Sequence, residues 1–379
     1  MINMIIIIDP WKTNYLKGFI NSLSKKCDNK VVLFTCHKNK SIVSIGSLKV
    51  YYLFFPVSDF MKDHFIRKFI RIIEYIIAYI FVYFFTFLNR KKIKLIHFQW
   101  LLLYKFDLLS LFLINKFFRI PIIYTAHDLF PHVNGSIHIK TLSKIYSYIN
   151  TIILHGLNLK NLFHQTYPDN KSNIVVIPHG YENEYINIKI DPNIQVLLNS
   201  NKYKKVYLIF GFQFYNKGTD MIADIWINNK NFNTNNLLII AGKINNYPEL
   251  IKFSNYKHKN IMIINKFIQE EVLNYYLSIS NVVLLPYRAA SMTGQLSKVV
   301  NFKKAVLLTN VGSMKEYVKD NNVFLTNPNE KELLLKMLEI NGSDIKTLDK
   351  MGSDLFEHFD TNFRWDVIVL TYLSLYKDA

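Results

Sequence analysis

Short apolar runs alternate with longer amphipathic stretches along most of this chain. Residues 5–8, 31–34, 50–55, 93–98, 122–124, 152–154 and 174–177 are rich in Ile, Val, Leu, Phe and Tyr. Runs this short and this apolar predict strands buried on both faces. The segments between them have helical length and periodicity. A polar, Asn- and Lys-rich patch over 187–205 breaks the rhythm, which resumes with runs at 206–210, 237–240, 261–264, 282–285, 305–308 and 323–325. Strands alternating with helices imply right-handed crossovers and a parallel sheet covered on both sides. The pattern therefore predicts an α/β chain of two Rossmann-like, doubly wound domains, residues 1–186 and 187–362. An amphipathic helix over 364–376 follows within a last segment, 363–379. Ligands of such sheets bind beyond the C-terminal strand ends, so the loops there should hold the chemistry.

With 379 residues the chain is long enough for two cores. Half of it is apolar and 15% aromatic, which excludes a disordered chain. The formal net charge of +18 calls for an anionic partner: nucleic acid, a membrane surface or a phosphorylated substrate. No compact run of five Lys or Arg and no nucleic-acid-binding motif occurs, so nucleic acid is set aside. The two cysteines, Cys27 and Cys36, exclude a disulfide framework and a four-cysteine zinc site. The opening apolar run is too short for a signal peptide and reads as a first strand, placing the chain in the cytoplasm.

One segment departs from the alternation. The 14 residues 75–88 are almost wholly apolar, with Lys62, Arg67, Lys68 and Arg71 before them and Arg90, Lys91, Lys92 and Lys94 after them. Only Asp63 and Glu74 offset these eight basic residues. Fourteen falls short of the roughly 20 residues that cross a bilayer. A span would also strand later parts of the same sheet on the wrong side. The pattern fits a helix over 62–94 lying in an anionic membrane interface, on the inner face of the cell membrane. A core helix with solvated basic ends is the plainer alternative.

The densest candidate chemistry lies between positions 282 and 317. A strand ends at Pro286, Tyr287 and Arg288 follow, then Ser291, Thr293 and Gly294 precede a helix predicted over 296–302. Gly294 lets a ligand approach the backbone, and the free N–H groups of a first helical turn suit an anion. Lys217 follows the strand end at Gly211 and precedes a helix starting near Thr219. A cation is disfavoured at a helix start unless an anion visits it, and Gly218 leaves room for one. No Asp-x-Asp pair occurs, so a metal-bridged diphosphate is not expected and no metal is assigned. In the first half, the strand over 122–126 delivers His127 and Asp128, and the aspartate is placed to hold the histidine in one tautomer. His132 is a second candidate on that loop. His127, Asp128 and His132 on irregular chain make a poor metal cage. Asp9 ends the first strand and suits either an acceptor hydroxyl or a helix cap.

The order Pro286-Tyr287-Arg288, Ser/Thr-Gly294, a second strand and Asn310-Val311-Gly312 resembles the donor-binding segment of the family-4 retaining glycosyltransferases, which have the GT-B fold. The nearest likeness is a bacterial polysaccharide-biosynthesis subgroup. Phe210-Gly211 with Lys217-Gly218-Thr219-Asp220 resembles the family's phosphate-gripping loop, Ala241-Gly242 the strand end after it, and Thr125-Ala126-His127-Asp128 the histidine loop of the first domain. The resemblance implies two domains facing a cleft, with the last helix crossing back to the first domain.

The resemblance also implies site roles. Lys217, Gly211, Gln213, Gly218 and Gly242 would line the donor. The main chain at Asn265 and Phe267 would meet the base, with the Phe267 ring read as packing under the next helix. Phe214 stands where the family usually has an arginine, and Arg288 would supply that charge. Ala290 and Lys298 stand where most members have two glutamates. Sugar contacts would then fall to Tyr287, Ser291, Thr293, Gly294, Gln295 and Leu296, with Lys298 turned to a phosphate or to solvent. His127 would approach the donor, while Asp9, Trp11, Asn14 and His132 would meet the acceptor. His179 reads as a turn residue near the hinge. The implied activity is a metal-independent, retaining transfer of a hexose from a UDP- or GDP-linked sugar, without a cofactor. The implied acceptor is a lipid-linked oligosaccharide in capsule or O-antigen synthesis. A GT-B sugar-nucleotide epimerase and a non-catalytic sugar-nucleotide-binding partner of a membrane complex remain open.

Overall fold

A computed structural model describes residues 3–129, 139–183, 186–200, 203–245, 247–254, 260–291 and 294–379, the side chains of Asn14, His64, Asn233 and Ser254 excepted. The chain divides into two units. The first comprises residues 1–181 and 363–379, the second residues 182–362.

The first unit is built on a seven-stranded parallel sheet of β1 (Met4–Asp9), β2 (Lys30–Cys36), β3 (Leu48–Phe54), β4 (Ile93–Phe98), β5 (Ile122–Thr125), β6 (Thr151–Leu154) and β7 (Asn173–Val176). Their order is β3-β2-β1-β4-β5-β6-β7. Ile5 to Ile8 are buried on both faces, which is why this strand reads as an unbroken apolar run. The second unit has a six-stranded sheet, ordered β10-β9-β8-β11-β12-β13. Its strands are β8 (Lys205–Phe210), β9 (Asn236–Ala241), β10 (Ile261–Ile264), β11 (Val282–Leu285), β12 (Ala305–Thr309) and β13 (Phe324–Thr326). Each sheet runs outward in both directions from its first strand, so each has a switch point, β1/β4 and β8/β11, where neighbouring loops diverge.

The last helix, Trp365–Asp378, packs within the first unit. Tyr181 N–H donates to the Phe363 carbonyl, and the Tyr372 and Tyr376 hydroxyls meet Tyr15 (2.7 Å) and His97 Nδ1 (2.5 Å).

The apolar run over 75–88 is part of a longer helix, His64–Asn89, of 26 residues, begun by Asp63, whose carboxylate accepts from Phe65 and Ile66 N–H. At about 39 Å it is long enough to cross a bilayer, so the shortness of the run is not what decides its placement. Its inner face decides it. Tyr75, Ala78, Tyr79 and Val82 are buried in the core over the sheet, and Tyr75 Oη donates to Asp107 (2.7 Å). Glu74 turns inward too, accepting from Val57 N–H (2.7 Å), and Arg71 pairs with Asp59 (2.8 Å). The opposite face has no cover: between positions 69 and 88 every exposed residue is Phe, Ile or Leu.

Candidate functional site

The residues singled out in the second unit gather where β8, β9 and β11 end. Lys217 is half-buried, with its ammonium enclosed. That Nζ donates to Gln295 Oε1 (2.5 Å), lies 4.8 Å from the centre of the Tyr287 ring, and reaches the Phe210 carbonyl only at 3.5 Å. Tyr287 Oη donates to the same Gln295 oxygen, and Gln295 Nε2 donates to Phe210 O (2.7 Å). Among the described residues no carboxylate pairs with this lysine, and burial pushes its pKa down to about 7. A cation held by neutral acceptors only is one that an arriving anion would stabilise.

Two glycines make the arrangement possible. Gly211 has φ +87°, and a Cβ there would collide with the Gln295 amide; Gly218 has φ +67°, and a Cβ there would strike the Pro286 carbonyl. The helix after the loop runs Gly294–Val300, starting two residues earlier than the pattern suggested, and the space over Gly294 is open. Tyr287 and Leu296 are buried, Leu296 offering only its backbone. Ser291 accepts from Ser313 N–H through its carbonyl. Thr293 and His132 lie outside the described residues, as does the side chain of Asn14.

Several expectations change. Arg288 is not a spare charge for a ligand. It forms a two-point pair with Asp220 (2.7 and 2.8 Å), donates to the Tyr215 carbonyl and lies over the Tyr215 ring at 4.2 Å. Asp220, held below the usual carboxylate range by Arg288 and Tyr247 despite its burial, fixes the loop to the start of the helix Thr219–Asn228. Replacing Arg288 by alanine should therefore destabilise the fold by about 1–3 kcal/mol. Asp220→Asn in the same chain should recover part of that loss, read by denaturant unfolding.

Gln213 is fully buried, donating to Gly211 O (2.8 Å) and accepting from Thr219 Oγ1 (2.6 Å), so its side chain braces the loop. Asn265 accepts from Ile244 N–H (2.8 Å), tying the β9 and β10 ends together. Gly242 donates to Ile264 O in the same seam. Lys298 pairs with Glu270 (2.6 Å), so its charge is already met within the chain. Phe267 does not root its helix. It is 69% exposed, 6.2 Å from the half-exposed Phe212 ring, and the two form an aromatic shelf at the β8 and β10 ends.

In the first unit, His127 meets residues that the pattern did not reveal. Its ring stacks on Trp100 (4.5 Å, 15°), and its Nδ1 lies 3.1 Å from His155 Nε2. His155 Nδ1 in turn faces the Ile177 carbonyl at 2.9 Å. Burial pushes both imidazoles well below their usual pKa, so both are neutral. The protons then follow from the acceptors. His155 Nδ1–H donates to Ile177 O, leaving Nε2 to accept from His127 Nδ1–H, and His127 Nε2 is a bare acceptor. His155, not Asp128, sets the tautomer. A bare imidazole nitrogen suits a hydroxyl donor and not a phosphate, which narrows what His127 can hold. His179 is half-buried, packed beside Tyr15 (4.8 Å) and His155 (5.5 Å) rather than in an open turn.

Among the described residues, four buried polar atoms at this edge have no partner: Asp9 Oδ2, Gln99 Oε1, Trp100 Nε1 and His127 Nε2. Asp9 is no helix cap, since Thr13 caps the helix Asn14–Lys26. Its other oxygen accepts from Trp11 N–H (2.9 Å), and burial pushes its pKa up to about 8. The partly exposed Trp11 ring lies under Arg71 (5.3 Å). The folded chain keeps the Asp9 proton up to about pH 8, whereas the unfolded chain loses it near 4. Stability should therefore fall between these values. Asp9→Asn should flatten that fall and raise stability at pH 8 by several kcal/mol, since each tenfold change in proton affinity is worth about 1.4 kcal/mol. Unfolding at pH 5 and pH 8 reads the difference.

The two sheets and their strand orders give the chain the GT-B fold. The sequence matches no family model and no curated protein. Among solved structures the chain is similar to a sucrose-phosphate synthase from Thermosynechococcus elongatus (TM-score 0.71, 15% identity, 99% of this chain and 98% of that one). It is also similar to Anabaena HepE in complex with UDP (0.68, 12%, 99% and 100%). An alpha,alpha-trehalose-phosphate synthase (UDP-forming) from Burkholderia vietnamiensis gives 0.69 at 10% identity over the whole of both chains. At such identities the likeness is one of fold.

Proposed function

We propose that this chain is a metal-independent, retaining glycosyltransferase. It moves a hexose from a nucleotide-diphosphate sugar to a lipid-linked saccharide at the inner face of a bacterial membrane, in surface-polysaccharide synthesis. The observation that carries the reading is the enclosed Lys217 ammonium at the edge of the second sheet, held by Gln295 and Tyr287 with no carboxylate paired to it among the described residues. In the reaction the bond from C1 to the diphosphate breaks with both electrons leaving on the diphosphate. The acceptor oxygen bonds to C1, and the departing diphosphate takes the acceptor's proton. Lys217 meets the negative charge as it grows, where an oriented cation in an enclosed site acts most strongly. Orientation of the sugar adds the rest.

Fold neighbours that bind or form UDP favour a UDP-linked donor over a GDP-linked one. The lipid-linked acceptor rests on the uncovered apolar face of the helix His64–Asn89 and its basic flanks. The test is transfer of radiolabel from UDP-, GDP- and dTDP-sugars to a membrane extract, beside a thermal-shift screen of the same donors. Transfer into the lipid fraction is expected. Epimerised free donor, or stabilisation by a donor without turnover, would replace this reading with one of the other two.

A further inference from the structure

At the C-terminal end of the helix His64–Asn89, a concavity of about 490 Å³ is lined by Arg90, Lys91, Lys116, Phe117, Phe118 and Arg119. Lys116 to Phe118 close a π-helical turn, Leu113–Phe118, and Arg119 follows in the left-handed region at φ +55°. That conformation costs a non-glycine residue about 1–2 kcal/mol, so packing must hold this basic residue in place against a local preference. All four basic side chains are exposed, and among the described residues none is paired with a carboxylate. The rim is apolar: Phe87 lies beneath Arg90 (5.7 Å), Leu88 is 63% exposed and Phe117 is 67% exposed. The uncovered apolar face of the helix therefore ends beside an open concavity lined by four basic residues.

We propose that this pocket binds the phosphodiester headgroup of an anionic membrane lipid, its acyl chains lying along Phe84, Phe87, Leu88 and Phe117. The arrangement joins the two requirements of such a ligand at one place. The guanidinium and ammonium donors meet phosphate oxygens, and the aromatic and aliphatic rim meets hydrocarbon. The proposal rests on the membrane reading given above, and adds that a defined pocket, not diffuse charge, reads the headgroup.

Flotation with vesicles of phosphatidylcholine alone, or of phosphatidylcholine mixed with phosphatidylglycerol, tests it. The native chain should bind the mixed vesicles roughly 100-fold more tightly, the scale expected of several basic residues at one anionic surface. Arg90, Lys91, Lys116 and Arg119 changed together to Gln should lose that preference and keep the weaker binding to phosphatidylcholine. The thermal midpoint should be unchanged, because all four side chains are exposed. Changing exposed Lys319, Lys331, Lys346 and Lys350 to Gln removes the same charge elsewhere and should alter the preference little. An equal loss in that control, or a native preference in the pocket variant, would overturn the pocket. Displacement by micromolar free glycerol phosphate would likewise overturn the lipid as its source. Absence of binding to either vesicle would instead sink the membrane reading itself.

Discussion

Lys217→Met should lower kcat/KM for sugar transfer by about 100- to 1,000-fold, the range found when one oriented group is removed from a developing anion. The same variant should be the more stable protein. Below pH 7 the native chain bears an ammonium enclosed among neutral partners, so its burial costs stability there. Between about pH 7 and 10.5 the unfolded chain holds a proton that the folded chain has released, and stability climbs with pH across that window. Removing the charge should therefore add about 1–3 kcal/mol at pH 6, discounted for a side chain that solvent partly reaches.

Donor binding should show the reverse. A diphosphate beside Nζ restores the charged form, so at pH 8 binding should take up a proton. Titration calorimetry in buffers of different ionisation heat measures this. Affinity should fall as pH rises above 7, and Lys217→Met should show neither effect. A variant with native affinity and turnover would leave the lysine as part of the fold and remove the basis of the proposed reaction.

The strands were legible because parallel strands covered on both sides need apolar residues at every position. Runs such as 282–285 and 261–264 therefore carry their boundaries on their face. The pairings at the strand ends were not. Arg288 and Asp220 are 68 positions apart, and the relay from Ile177 through His155 to His127 draws on three strands. Charge alone made Arg288 look available, and only its partner shows otherwise. Two signals stood in the sequence. Asp220 follows Lys217-Gly218-Thr219 in the first turn of a helix, where a carboxylate is favoured, and Leu154-His155-Gly156 repeats the strand-then-histidine pattern of the loop at His127. The helix His64–Asn89 was hardest of all, because its buried and exposed arcs are equally apolar. Nothing in composition separates Tyr79 and Val82 from Ile80 and Phe84; the sheet that covers one pair does.

That second arc is where the other large effect is expected. Changing Ile77, Ile80 and Phe84 together to Gln should reduce binding to phosphatidylcholine–phosphatidylglycerol vesicles by at least about 100-fold. Each side chain is about 60% exposed, and each stands to bury much of what a fully buried side chain is worth, about 1.5–3 kcal/mol. Gln keeps the helix and removes only the apolar surface. Stability should move by no more than about 0.5 kcal/mol per site, as for other surface positions. Tyr79→Ala, in the same turn as Ile80 but on the inner face, should cost about 3–5 kcal/mol, since it empties a packed site.

The pair of variants separates the possible covers for the stripe. A helix lying on a membrane loses vesicle binding and keeps its fold in the Gln variant. A helix covered by a second copy of the chain turns from dimer to monomer while vesicle binding holds. The eight basic residues that flank the stripe favour the first outcome, since an anionic surface would attract them and a second copy of the same basic face would repel them.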